Sequence, residues 1–109
     1  MADSLKILGT GNPAATTLTD IYTVPSLTST TVSTITVCNR SATATTFRLS
    51  VAGAGATDAF NQYMYYDQFI DGNSTYAITV GITLGATDKI RAYSGAATLS
   101  FNIFGIEVS

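Results

Sequence analysis

The chain has 109 residues, room for one domain, and only 5 basic and 7 acidic side chains give it a net charge of −2. Charged residues make up 11% of it, against roughly 25% in ordinary soluble domains. With a pI near 4.5 and Lys6, Arg40, Arg48, Lys89 and Arg91 scattered along it, the chain lacks the basic patch that a nucleic-acid binder needs.

A folded chain of this mass keeps about 5,800 Å² of surface. Thr, Ser and Ala are the commonest residues, so much of that surface must be neutral hydroxyl and methyl. Isolated domains stay dissolved with more charge than this, so the simplest reading is that neighbours cover part of the exterior. The alternative is a small Thr-coated domain that stands alone. The single cysteine, Cys38, cannot form an internal disulfide, which argues against a stapled secreted scaffold. Met1-Ala2-Asp3-Ser4 shows neither a basic n-region nor an apolar h-region. No apolar run has the length to span a bilayer. The expectation is a protein made in a cytoplasm, used without secretory export, with no membrane partner.

In chain order, Leu5-Lys6-Ile7-Leu8 is a short alternating piece and Gly9 to Thr17 is turn chemistry. Residues 1–17 thus read as an N-terminal arm or edge strand with a loop, ahead of a β-domain over 18–109. Leu18 to Val24 is rich in β-formers and is ended by Pro25. Thr31 to Asn39 and Thr45 to Ala52 are strands flanking a turn at Arg40–Ala44, and they read as a hairpin. In the second of them Phe47, Leu49 and Val51 alternate with Thr46, Arg48 and Ser50.

Gly53 to Asn61 is too Gly-rich for a strand and is the best candidate for a projecting or mobile loop. Gln62 to Asp67 is an aromatic strand. Alternation there predicts that Tyr63 and Tyr65 point one way and Met64 and Tyr66 the other. Asp71-Gly72-Asn73 is a turn signal. From Thr75 to Leu84 every second residue is apolar (Tyr76, Ile78, Val80, Ile82, Leu84), which predicts one strand with one buried face. Gly85–Asp88 is a turn, and Lys89 to Tyr93 reads as the other arm of a hairpin. Thr98 to Val108 alternates through Leu99, Phe101 and Ile103, then in the other phase through Phe104, Ile106 and Val108. That predicts a bulge beside Gly105 or a strand buried on both faces.

No segment carries a 3.6-residue apolar period. The fold class is all-β: a single-domain antiparallel β-sandwich, jelly-roll or Ig-like, of seven to eight strands.

The chain has no histidine, which removes the usual general base near neutral pH and the usual metal ligand together. Cys38, among β-branched residues, reads as a core or interface filler. Asp67, Asp71 and Asn73 could offer oxygens to calcium, but their spacing fits no calcium loop and a plain turn accounts for them. Catalysis and cofactors are not expected. Two glycosylation sequons, at Asn39 and Asn73, read as chance without a secretory signal. The candidate interface residues are Leu5, Ile7, Tyr63, Tyr65, Tyr66 and Phe69.

Ile21–Pro25, the run from Val37 to Arg48, Tyr65-Tyr66-Asp67, Gly81–Leu84 and Ser100–Gly105 resemble short all-β virion structural proteins of tailed bacteriophages, of the type found in phages of cyanobacteria and aquatic bacteria. The resemblance covers nearly the whole chain beyond Leu5 and carries no functional residues with it. It implies a place in the virion. The leading expectation is a capsid decoration (cement) protein, clustered with copies of itself as a trimer and contacting the major capsid protein. The alternative is a tail, baseplate or fibre component that contacts host glycan. A non-viral extracellular β-domain exported without a leader is a remoter third.

Overall fold

The computed structural model describes residues 3–79 and 81–109. Nine strands run in chain order: β1 (Asp3–Gly11), β2 (Thr19–Thr23), β3 (Ser29–Asn39), β4 (Thr45–Ala52), β5 (Tyr63–Ile70), β6 (Thr75–Ile78), β7 (Ile82–Leu84), β8 (Lys89–Ser94) and β9 (Leu99–Val108). The only helical pieces among the described residues are two three-residue 3₁₀ turns, Gly53–Gly55 and Phe60–Gln62. β-branched and aromatic residues fill the strands, where their stiff side chains suit a pleated surface.

One sheet has the order β1-β9-β3-β6, with β7 also paired to β3; the other has the order β2-β8-β4-β5. β6 and β7 lie one after the other along β3, so they count as one interrupted strand. Eight strands then run first-eighth-third-sixth in one layer and second-seventh-fourth-fifth in the other. That is the jelly-roll order of two interleaved Greek keys, and it decides between the two sandwich types expected above.

The connections from β3 to β4 and from β7 to β8 each pass from one sheet to the other, so neither pair is the hairpin that the sequence suggested. Alternation requires one buried face per strand, and a strand in either layer meets that demand equally well. The expected single strand over Thr75–Leu84 is broken between β6 and β7; Val80 lies outside the described residues.

The core lies between the layers. Phe47, Leu49, Ile90, Ile35, Val37, Leu99, Phe101 and Ile103 are all at most 1% exposed. Burying each such side chain contributes about 1.5–3 kcal/mol. Phe47 sits at the centre, edge-on to Tyr76 at 5.6 Å and to Phe101 at 6.1 Å between ring centroids.

β9 keeps one alternation along its whole length, so the phase change expected at Gly105 does not occur within it. The bulges lie in its two neighbours instead, at Ser33 of β3 opposite Phe104–Gly105 and at Leu8 of β1 opposite Ile103–Phe104. A Cβ on Gly105 would lie 2.2 Å from the Thr31 carbonyl oxygen and 3.0 Å from Leu8 Cδ1. The missing side chain is what lets the extra residue Leu8 turn in and pack against the core.

One end of the sandwich is knotted by Asn39, which is 1% exposed. Its amide Nδ2 donates to the carbonyls of Thr43 (2.9 Å) and Asp71 (3.2 Å). Its Oδ1 accepts from the Ser41 amide and the Thr98 hydroxyl, both at 3.1 Å. Three connections are thereby fastened to one side chain, and the Asn39 sequon is sealed inside the fold.

Candidate functional site

Two opposite outer faces carry the exposed side chains, and they differ in kind. On the β1-β9-β3 sheet the cross-strand register aligns the outward residues in rows. Asp3, Val108 and Ser29 form the first row. Leu5, Ile106, Thr31 and Thr83 form the second, and Ile7, Phe104 and Thr34 the third. Thr10, Asn102, Thr36 and Ala77 follow, then Ser100, Cys38 and Thr75. Asp3, at the corner, is the only charged side chain in these rows.

Leu5 and Ile7 are 78% and 60% exposed. Phe104, Ile106 and Val108 beside them are half-buried by their neighbours. Strand spacing and rise give this face about 600 Å² in projection, apolar along β1 and the adjoining end of β9 and otherwise hydroxyl and methyl. β1 is also an edge strand, paired only to β9, so its far side presents unpaired backbone groups. The second alternation of the last strand (Phe104, Ile106, Val108) was the sequence signal for this face.

Lys6 points to the other side of β1. Its Nζ lies 2.7 Å from Glu107 Oε1, and the Tyr22 hydroxyl donates to Glu107 Oε2 at 2.5 Å. Lys6, then Tyr22, hold the Glu107 carboxyl below its usual range against the opposing cost of burial. Burial, then the Glu107 carboxylate, push the Tyr22 phenol up to about 12. The cluster stitches β1, β2 and β9 together.

The β2-β8-β4-β5 sheet carries paired charges outside. Asp20 accepts from Lys89 Nζ (2.7 Å) and Arg91 Nε (3.0 Å), chiefly the first of which holds its carboxyl below the usual value. Arg48 donates to both Asp67 oxygens, at 2.7 and 3.3 Å. Its guanidinium is sandwiched between the rings of Tyr66 (4.1 Å) and Tyr93 (4.3 Å).

β5 does not alternate as expected. Tyr65 turns inward onto Phe47 and Tyr76, whereas Tyr63 stands edge-on to Tyr66 at 5.1 Å. The cause is a pair of register shifts against β4, between Phe47 and Leu49 and again between Leu49 and Ser50. Each inserts a β5 residue without a partner, and Asp67 takes a positive φ of 53°. Tyr66 and Phe69 are 49% and 58% exposed. The structure therefore divides the six interface candidates: Leu5 and Ile7 share one face, Tyr63, Tyr66 and Phe69 belong to the other sheet, and Tyr65 lines the core.

Sequence reasoning passed over Phe60, which is 84% exposed and edge-on to Tyr66 at 6.3 Å. It stands in the Gly-rich loop, which projects but is tied down. Arg91 donates to the carbonyls of Ala56 (2.8 Å) and Gly55 (3.2 Å), and Asp88 accepts from the Ala54 amide (2.8 Å). Gln62 bridges the Thr57 carbonyl (3.0 Å) and the Ala59 amide (3.3 Å).

No cluster of three metal-ligating side chains exists among the described residues. Asp67 is bound to Arg48, and Asn73 occupies a turn at φ 54° with its amide on the Ser41 carbonyl.

No protein-family model and no curated protein matches the sequence. Among solved structures the chain is similar to a pentameric capsid protein isolated from metagenomic phage sequences. The TM-score is 0.39 with 16% identity, over 95% of this chain and 63% of that one. The chain thus spans less than two thirds of that protein's length.

Proposed function

We propose that this protein is a non-enzymatic structural component of a tailed-phage virion, acting as a capsid decoration protein. The observation that carries the reading is the uncharged outer face of the β1-β9-β3 sheet with its free β1 edge. Apart from Asp3 at its corner, such a face loses no ion hydration when covered, and its methyl and hydroxyl rows suit close contact. At about 600 Å² plus the edge, it approaches the roughly 800 Å² per partner of a stable interface. The jelly-roll order, which viral capsid subunits also use, and the resemblance of the sequence to phage virion proteins support the same reading.

In this account the face lies against the shell, contacting the major capsid protein and neighbouring copies, and β1 pairs with an adjacent sheet edge. Many such contacts resist outward pressure on the shell. The chain has two lysines, Lys6 on the free β1 edge with its side chain turned away from the face and 47% exposed, and Lys89 on the opposite sheet. Amine-reactive cross-linking of purified particles should join Lys6, and not Lys89, to capsid protein or to another copy. Cross-links from Lys89 alone, or a yield of only a few copies per particle, would contradict a decoration role and favour a tail tip.

A further inference from the structure

The outward aromatic group on the other sheet has no part in that contact, and it is built differently. Phe60 is a large apolar ring at 84% exposure, yet it stands on a loop fixed by Arg91, Asp88 and Gln62. Its exposure is therefore held in place. Beside it is an open depression of about 310 Å³ lined by Asp58, Ala59 and Phe60, at the small end of ligand-pocket volumes. Tyr63 donates to Asp58 Oδ2 at 3.2 Å, which orients the carboxylate. No protein donor among the described residues reaches Oδ1.

We propose that this depression binds a neutral pyranose sugar. One face of a pyranose ring is a patch of C–H bonds, which suits the electron-rich face of an exposed phenyl ring. Its rim carries adjacent hydroxyls, which suit a carboxylate with spare acceptor capacity. A carboxylate beside an aromatic ring also suits an organic cation. Here, though, the Arg48 guanidinium lies 4.1 Å over Tyr66, the ring that Phe60 abuts. That guanidinium already occupies a face of Tyr66, so the ring beside Phe60 is a poorer partner for a second cation. Because the loop is already ordered, binding need not order it. The depression lies on the sheet opposite the uncharged face, so it stays open when that face is covered, and its test needs no virion.

The experiment is amide-resolved NMR of the full chain, titrated separately with glucose, galactose, mannose and N-acetylglucosamine, and with choline as the cationic probe. One ring on one aromatic gives affinity on the order of millimolar, so titration runs to about 50 mM. The expected result is that at least one sugar shifts the amides of residues 58–60 and 66. Phe60→Ala and Asp58→Asn should each weaken that sugar tenfold or more, and Phe69→Ala should leave it unchanged. Phe60 is solvent-exposed, so its replacement keeps the fold and the spectrum reports binding alone. The proposal is overturned if no sugar moves those amides, if Phe60→Ala binds as well as the parent, or if choline binds more tightly than every sugar.

Discussion

The Tyr22 hydroxyl and the Glu107 carboxylate, 85 residues apart in sequence, meet at 2.5 Å in a site where both residues are under 10% exposed. Tyr22 also shares a 2.8 Å hydrogen bond with Thr30, and Lys6 closes the cluster from the edge strand. Removing the hydroxyl leaves the carboxylate with one partner fewer in a dry setting. Tyr22→Phe should therefore lower unfolding free energy by about 1.5–3 kcal/mol. Denaturant melts of Tyr22→Phe, Glu107→Gln and the double variant should show that the two losses do not add.

Stability should fall at both ends of the pH scale. The Glu107 and Asp20 carboxyls titrate below their usual values in the fold. Their contribution is present above the unfolded carboxylate pKa, about 4, and is lost as pH drops through the depressed folded values. The Tyr22 phenol is raised to about 12. Its contribution is present below about 10, the unfolded value, and is lost as pH climbs through the folded one. Thermal melts across pH should show both declines. Tyr22→Phe should flatten the alkaline one, and an unchanged alkaline limb in that variant would count against the cluster.

Asn39 uses its donors on two carbonyls and its acceptor on an amide and a hydroxyl. Asn39→Ala should cost about 2–4 kcal/mol by orphaning these buried groups. Asn39→Asp should be at least as damaging at neutral pH, because it points a charged oxygen at the Thr43 and Asp71 carbonyls. Calorimetry of the two variants separates this from a packing role, in which the near-isosteric aspartate would be harmless.

Alternation in Thr45–Ala52 and Leu99–Val108 made the inward residues Phe47, Leu49, Phe101 and Ile103 legible, because a half-buried strand needs a period of two. It could not say which layer a strand joins, so two sheet-crossing connections read as hairpins. Inserted residues were also invisible. Leu8 and Ser33 look like ordinary strand residues until the register against β9 shows each to be the extra one. The same limit misplaced Tyr63 relative to Tyr65, since an unpaired residue in β5 reverses the direction of those after it. The apolar outer row of β9 was visible as a second phase, but its joining with Leu5 and Ile7 required the order of strands. Asn39 gave no signal at all, because one buried amide tying three turns depends on contacts distant in sequence.

The claim on which the rest depends is that the uncharged face of the β1-β9-β3 sheet is a covered surface. A cryo-EM map of the intact particle, at a resolution that traces strands, tests it most directly. The account predicts that Leu5, Ile7, Phe104 and Ile106 lie against capsid protein or a neighbouring copy, with the Arg48–Tyr66 sheet turned outward. A map in which those four side chains face solvent while the opposite sheet contacts the shell would contradict it.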